Sequence, residues 1–249
     1  MCRKFKAVIA VSAEDRDRMQ REYGVDAIFD VPTGVDTEFF RPSGRAKPAA
    51  NNLVFTGSMD WLPNEDAIRY FVDEILPIVK HKVPDVTLTV VGRNPSASLV
   101  QLGEKNPSIV VTGRVDDVRP YIDQAAVYIV PLRIGGGTRL KIYEAMAMEK
   151  PIVSTTIGAE GLPLSNGIEL LLADKPESFA NSVVQLLHEP EVANRIGACA
   201  AATVRQRFSW NQVASRFSDV CQETVARKGS TAEAVTVSSA DRPMVYGEQ

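Results

Sequence analysis

Three consecutive glycines, two cations and one carboxylate lie together in GGGTRLKIYEAMAMEKPIVST, residues 135–155. Glycines let a ligand approach the backbone closely, and the unpaired N–H groups at a helix start attract an anion such as a phosphate. If the helix starts near Thr138, Arg139 lies in its first turn, where a cation opposes the helix dipole unless an anion is nearby. Arg139 and Lys141 could then hold a diphosphate, while Glu144 could accept hydrogen bonds from vicinal hydroxyls.

The same charges have a simpler interpretation as a surface ion pair. Lys141 and Glu144 are three positions apart, so a helix would bring them together in a pair that contributes roughly 0.3–0.5 kcal/mol. The glycine run directly before them favours a binding site. The residues alone leave both interpretations open.

Strand-like and helical patterns alternate along the chain and must position these residues. Six short apolar runs are predicted strands, and helical patterns separate most of them: NLVFTG, VTLTVVG, SIVVTG, VYIVPL, PIVST and IELLLA. This alternation predicts an α/β fold, a Rossmann-like parallel sheet with helices on both faces. An earlier strand, AVIAVS, precedes a polar helix that Gly24 closes.

Glycines follow most of the predicted strands. Gly57, Gly92 and Gly113 each end a strand pattern, Gly135 begins the glycine run, and Gly158 follows PIVST. In an open parallel sheet, ligands bind outside the carboxyl ends of the strands. One such glycine is weak evidence, but five turns on one edge predict a pocket there.

Composition excludes several classes of protein. The chain has 249 residues, 45% hydrophobic, with a net charge of -3, so it can bury a sizeable core and gives no reason to expect nucleic acid. No apolar run approaches the roughly 20 residues that a membrane span needs. Three scattered cysteines without metal spacing indicate reduced thiols, and hence a cytoplasmic location.

The ordered motifs resemble the carboxyl-terminal half of retaining glycosyltransferases of family 4, which have the two-domain GT-B fold. The resemblance covers residues 5–225 and is most specific in PTGVDTEFF and GTRLKIYEAMAMEKPIVST. It implies a domain that binds a nucleoside-diphosphate sugar, with no metal and no further cofactor, in polysaccharide biosynthesis. The acceptor would be a glycan or a lipid-linked molecule.

The resemblance also implies site residues. Glu144, the second glutamate of the family's paired-glutamate motif, would bind the ribose hydroxyls. We expect, from the residues themselves, that Arg139 and Lys141 act in catalysis by stabilising the departing diphosphate. The other residues expected to bind the donor are Gly57, Ser58, Gly113, Arg114, Val115, Val118, Gly136, Gly137, Thr138, Leu140 and Glu160.

Two departures from the family pattern concern charge. The first glutamate of the family's paired-glutamate motif would fall on Gly136, which has no side chain. The family's first phosphate loop carries an arginine and a lysine near the places of Ser58 and Asn64. We hypothesise that Arg139 and Lys141 supply the diphosphate charge that this loop lacks.

A third departure concerns domains. Family members begin with an acceptor-binding domain, whereas only six residues precede VIAVS here. We therefore expect residues 1–42 to be the end of that domain and the interdomain crossing, 43–227 the donor-binding domain, and 228–249 a disordered tail. The chain would be truncated or completed by a separate acceptor-domain polypeptide. That missing half could hold it at the inner face of the membrane.

Other functions remain open. A non-catalytic nucleotide-sugar-binding module or inactive partner subunit would explain the missing glutamate and acceptor domain. A sugar-nucleotide epimerase would need an acid/base set, and a receiver-like signalling domain an acidic cluster, and neither pattern is evident. His81 and His188 each end a predicted helix, where we expect exposed, structural roles.

The segment DWLPNED contains three acids that could suggest a metal site. A helix capped by Asn64, with acids in its first turn, explains them better. Trp61 in the same segment could cover the predicted pocket, or it could be an ordinary core or surface aromatic.

Overall fold

The computed structural model describes residues 5–44 and 49–237, with side chains up to residue 226. The chain divides into two compact units. One is Thr33–Gln212, and the other combines the chain up to Pro32 with the chain from Val213. The functional boundaries predicted at residues 42 and 227 stay a prediction.

The described strands and helices follow the alternation that the sequence predicts. The strands are β1 Val8–Ala10, β2 Ile28–Asp30, β3 Asn52–Thr56, β4 Thr87–Val91, β5 Ile109–Val111, β6 Val127–Val130, β7 Ile152–Ser154 and β8 Leu171–Leu172. The helices are α1 Ala13–Tyr23, α2 Leu62–Tyr70, a π-helical turn Phe71–Ile75, α3 Leu76–Lys82, α4 Ala97–Lys105, α5 Arg119–Asp123, α6 Leu140–Ala147, α7 Pro176–His188, α8 Pro190–Arg207 and α9 Trp210–Val237.

The larger unit is built on a parallel sheet of six strands in the order β5-β4-β3-β6-β7-β8. Helices cover both faces, so the predicted fold class is confirmed. The chain first moves outward from β3 to β5 and then crosses to the other side of β3 to begin β6. Such a reversal opens a crevice at the carboxyl ends of the two central strands.

The core of this unit lies on both faces of the sheet. Strands β3, β6 and β7 are buried at every residue, which explains why their sequences are continuous apolar runs rather than alternating ones. Phe71 and Phe179 pack edge to face with ring centroids 6.0 Å apart. Tyr143 and Phe208 stack at 4.6 Å.

In the smaller unit, β1 and β2 pair in parallel and α1 connects them. Ser12 caps α1 by accepting a hydrogen bond from the Asp15 amide, and Gly24 ends it with a φ of 56°. The predicted strand and the helix closed by Gly24 are thus confirmed. Arg16 and Asp30 form an ion pair of 2.6 Å within this unit.

Helix α2 differs from the prediction in where it begins and in how it continues. The long helix expected from Asn64 begins at Leu62, and Trp61 stands at its N-cap, so the prediction that Asn64 caps it is wrong. The helix also widens into the π-helical turn, where the Leu76 amide donates to the Phe71 carbonyl. Pro77 provides the physical reason, because it has no N–H and its ring crowds the preceding turn.

Helix α9 extends to Val237, inside the segment 228–249 that the sequence predicts as a tail. Residues 238–249 of that segment lie outside the described part of the chain.

Candidate functional site

A cleft of about 620 Å³ opens at the carboxyl ends of β3, β4 and β6. Ten residues predicted to form the site line it: Gly57, Ser58, Arg114, Val115, Val118, Thr138, Arg139, Leu140, Lys141 and Glu144. Six further lining residues were not among the predicted site residues: Thr56, Trp61, Asn64, Val91, Gly92 and Arg93. Four predicted residues do not line the cleft, and their roles stay predictions: Gly113, Gly136, Gly137 and Glu160.

Arg139 is the most deeply buried cation of the cleft, with 4% of its surface exposed. It stands at the N-cap of α6, which begins at Leu140, so the expectation of a helix start near Thr138 is wrong by two residues. Its side chain bends back into its own loop, where Nη1 donates to the Gly136 carbonyl at 2.7 Å. The guanidinium carbon lies 5.2 Å from the centre of the Trp61 ring.

The other edge of the Arg139 guanidinium has no partner. Within the described residues, Nε and Nη2 are buried and make no hydrogen bond. Leaving a buried donor unpaired costs on the order of 1–3 kcal/mol. Three other arginines use the same two nitrogens to grip one carboxylate: Arg69 with Glu65, Arg119 with Asp117 and Arg133 with Asp66. An oxyanion that accepts two hydrogen bonds would satisfy both of these donors.

Lys141 is half-buried and turned into the cleft. Its Nζ donates to Asn64 Oδ1 at 2.8 Å and lies 4.0 Å from the centre of the Phe55 ring. Burial, reinforced by the positive charge of Arg139, lowers the pKa of Lys141 from 10.5 to about 7, and Glu144 opposes the shift. The alternative of an exposed Lys141–Glu144 pair is therefore wrong.

Asn64 connects the two sides of the cleft. It is 3% exposed, and its Nδ2 donates to the Ser58 carbonyl at 2.8 Å while its Oδ1 accepts from Lys141. A Cβ atom on Gly57 would lie 2.6 Å from Asn64 Nδ2, and one on Gly92 would lie 1.7 Å from the Gly57 carbonyl oxygen. These two glycines are thus required for packing at the strand ends, in addition to any ligand contact.

Glu144 lines the cleft and is half-buried. Burial raises the pKa of its carboxyl group, and the Lys141 ammonium acts in the opposite direction. Burial lowers the pKa of Arg139. Glu160 is exposed, and its negative charge acts on Arg139 in the opposite direction. One carboxylate thus faces the cleft, and a second lies close enough to interact with Arg139.

The outer parts of the site are more open. Gly136 and Gly137 are exposed in the loop before α6, and a Cβ on either would meet nothing within 4 Å. On the β4 and β5 side, Arg93 and Arg114 are exposed cations that line the cleft, and Arg93 Nε donates to Ser58 Oγ at 2.7 Å.

The described residues include both histidines and other possible metal ligands. His81 and His188 are exposed at the ends of α3 and α7, as expected. In the same part of the chain, His, Cys, Asp and Glu side chains form no group of three or more that could hold a metal ion.

Comparison with known proteins identifies the family of the chain. Residues 50–189, more than half of the chain, match the family described as glycosyl transferases group 1. The chain belongs to the group 1 glycosyl transferases. The D-inositol 3-phosphate glycosyltransferase of Streptomyces griseus is 28% identical, over 86% of this chain and 52% of that relative. This group 1 glycosyl transferase spans about half the length of the curated relatives it matches.

Solved structures agree with the fold. A sucrose-phosphate synthase from Thermosynechococcus elongatus superposes with a TM-score of 0.73 at 20% identity, covering 89% of this chain and 59% of that one. Anabaena HepE in complex with UDP and glucose gives 0.70 at 17% identity, covering 89% and 64%. The sheet and its helical layers are those of GT-B glycosyltransferases.

None of the described helices combines the length and apolar character of a membrane span.

Proposed function

We propose that this chain is the carboxyl-terminal, donor-binding half of a retaining glycosyltransferase of family 4. The cleft would bind a nucleoside-diphosphate sugar, with the diphosphate on Arg139 and Lys141, the ribose on Glu144 and the base along Val115 and Val118. The observation that carries the proposal is the buried, unpartnered Nε–Nη2 edge of Arg139. A phosphate has the geometry and charge to pair with that edge.

The same residues would serve the chemical step. When the bond between the sugar C1 and the diphosphate oxygen breaks, its electron pair passes to the diphosphate. Arg139, Lys141 and the amides of the Gly57–Ser58 and Gly136–Thr138 turns would stabilise that growing negative charge. The acceptor hydroxyl would then bond to C1 on the face that the diphosphate leaves, and its proton would pass to the departing diphosphate oxygen. A glycan or lipid-linked acceptor would be held by an acceptor domain outside this chain.

Calorimetric titration of the full chain with UDP, GDP and ADP tests the proposal. At least one nucleotide should bind, and Arg139→Ala should weaken that binding by about thirtyfold or more, because a bidentate charged contact is lost. Arg195→Ala is the matched control, since Arg195 is an exposed arginine of α8 that does not line the cleft. Full affinity in Arg139→Ala, or no binding of any of the three nucleotides, would contradict the proposal.

A second candidate is a nucleotide-sugar-binding module without catalytic activity. Gly136 favours it, because the family's first glutamate would stand there and glycine offers no carboxylate. Incubation with UDP-glucose and GDP-mannose separates the two candidates. Release of nucleoside diphosphate above the rate of Arg139→Ala supports an enzyme, whereas tight binding without release supports the module.

A further inference from the structure

Two side chains at the start of α2 contact the two cations at the start of α6. Trp61 and Asn64 follow β3, whereas Arg139 and Lys141 follow β6. The order of the sheet reverses between these two strands, so the contacts cross the crevice. Each of the two cations at the start of α6 therefore has a partner on the opposite side of the crevice.

Trp61 and the glycine loop enclose the Arg139 guanidinium from two sides. Its carbon lies 5.2 Å from the Trp61 ring centre, and Nη1 is tied to the Gly136 carbonyl. A Cβ on Gly135 would lie 2.8 Å from Arg139 Nη2 and 3.4 Å from Trp61 Cη2, so the loop, the guanidinium and the indole are in close packing. This enclosure fixes the plane of the guanidinium while its Nε–Nη2 edge is left without a partner within the described residues.

Asn64 acts on Lys141 in a comparable way. Its amide oxygen accepts from the Lys141 ammonium, and its amide nitrogen donates to the Ser58 carbonyl. The Phe55 ring, 4.0 Å from Nζ, supports the ammonium from β3. Because the Asn64 side chain is buried and engaged at both ends, its effect on a ligand passes through Lys141 and the Ser58 turn.

We propose that Trp61 and Asn64 are positioning residues, which hold Arg139 and Lys141 in the orientation that grips the donor's diphosphate. The inference rests on the proposed function. Long cationic side chains lose rotamer freedom when they bind, and a side chain held in place beforehand loses less. The start of α2 contributes no cation to the cleft. Its side chains would instead orient the two cations at the start of α6.

Double-mutant cycles on the full chain, titrated with UDP, GDP and ADP, test the Trp61 contact. We expect Trp61→Leu to weaken nucleotide binding by about threefold to thirtyfold in the unmodified chain, the range of a cation–π contact. Trp61→Phe should keep most of the affinity, since it keeps an aromatic face. In the Arg139→Ala background, Trp61→Leu should cause no further loss. An equal loss in both backgrounds would overturn the inference, because Trp61 would then contact the nucleotide itself.

The Asn64 contact is tested by a cycle between Asn64→Leu and Lys141→Met. Removing the amide should weaken binding by about threefold to tenfold when Lys141 is present, and by clearly less when Lys141 is Met, where only the contact with the Ser58 turn is lost. If Asn64→Leu fails to fold by circular dichroism, Asn64→Asp replaces it, since a carboxylate there pairs with the ammonium. The change in nucleotide affinity caused by Asn64→Asp must likewise depend on Lys141. If an Asn64 substitution changes the affinity equally with Lys141 and with Met at position 141, the positioning role of Asn64 is overturned.

The outcomes separate this inference from the function on which it rests. No binding of any nucleotide to the unmodified chain overturns both. Binding that is weakened but still measurable in Arg139→Ala, with additive cycles, supports the proposed function and overturns the positioning roles alone. Trp210→Leu is the matched control, because Trp210 is 58% exposed at the start of α9 and should leave nucleotide affinity unchanged.

Discussion

Arg139 and Lys141 lie two positions apart in sequence, yet burial affects their charges differently. An arginine keeps its proton even when burial lowers its pKa, so the cost at Arg139 is the pair of unsatisfied donors. A lysine can lose its proton, and the pKa of Lys141 falls to about 7. The ligand-free site is therefore expected to carry one permanent and one partial positive charge near neutral pH.

Nucleotide binding should make the Lys141 ammonium take up a proton. A diphosphate near Lys141 raises its pKa back toward 10.5, so above pH 7 the bound state holds more protons than the free state, and affinity falls as pH rises. Calorimetry near pH 8, about one unit above that pKa, in two buffers of different ionisation enthalpy measures the uptake. Lys141→Met should show no buffer dependence. A buffer-independent enthalpy in the unmodified chain would contradict the prediction.

The same shift predicts a pH dependence of stability. The unfolded chain binds more protons at Lys141 than the folded chain between pH 7 and 10.5, so the free energy of unfolding should rise with pH in this window. Arg139 and Glu144 are the charged groups that act on Lys141. Urea unfolding at several pH values should show the rise, and Lys141→Met should flatten it.

The ends of β3 and β4 approach each other too closely for any side chain at position 92. Thr56 and Val91 form the last strand pair, and a Cβ on Gly92 would lie 1.7 Å from the Gly57 carbonyl oxygen. Gly92→Ala should lower the free energy of unfolding by at least about 3 kcal/mol. Overpacking usually costs about 1–3 kcal/mol, and the cost is higher here because the methyl group would meet backbone atoms, which must then move. Urea unfolding measures the change.

Gly136→Ala is the control for this substitution. Its added Cβ would meet nothing within 4 Å, and Gly136 is not among the glycines with positive φ. The change in stability should be within about 0.5 kcal/mol of zero. Equal stabilities of Gly92→Ala and Gly136→Ala would show that the two strand ends do not need a glycine.

The glycine loop before α6 is attached to α2 near both of its ends. At its start, Arg133 forms an ion pair of 2.7 Å with Asp66 of α2 and lies over the Tyr70 ring at 4.4 Å. At its end, Arg139 packs against Trp61. Between these anchors, Gly135 and Gly137 have φ of 113° and 86°, a region that favours glycine. The two elements that follow β3 and β6 therefore form one structure around the crevice.

At the level of the chain, the cleft lies within the unit Thr33–Gln212, which has its own sheet and core. A ligand that binds only the folded state stabilises it by about 2.7 kcal/mol at a concentration one hundred times its Kd. We therefore expect the tightest-binding nucleotide to raise the urea concentration at which half of the protein is unfolded. Hydrogen exchange should slow most at the ends of β3 and β6 and in the first turn of α6.

Arg139→Ala should show much smaller effects at the same nucleotide concentration, with a stabilisation of about 0.9 kcal/mol or less if its Kd is thirtyfold higher or more. Protection confined to Asp117, Tyr121 and Gln124, which line a neighbouring pocket and not the cleft, would contradict the assignment of the cleft. It would show that the nucleotide binds beside the crevice and not across it.

Local patterns in the sequence were sufficient for the order and type of most elements. The six predicted strands NLVFTG, VTLTVVG, SIVVTG, VYIVPL, PIVST and IELLLA form one parallel sheet, and the helix predicted to end before Gly24 is α1. Apolar periodicity and turn residues determine these features, because they act over a few neighbouring positions. The resemblance to the glycosyltransferase family supplied most of the predicted site residues, and ten of the fourteen line one cleft.

Only the tertiary structure decided how those residues act. The hydrogen bond from Lys141 to Asn64 joins positions 77 residues apart, and the fit of Gly92 against Gly57 joins two strand ends. The backward turn of Arg139 and its contact with Trp61 depend on the same long-range packing. No local pattern records such contacts, because the sheet's reversal between β3 and β6 brings distant segments together. The sequence by itself determined the order of the elements and ten of the residues that line the crevice. The fold determined the other lining residues, Trp61 and Asn64 among them, and which side chains hold the others in place.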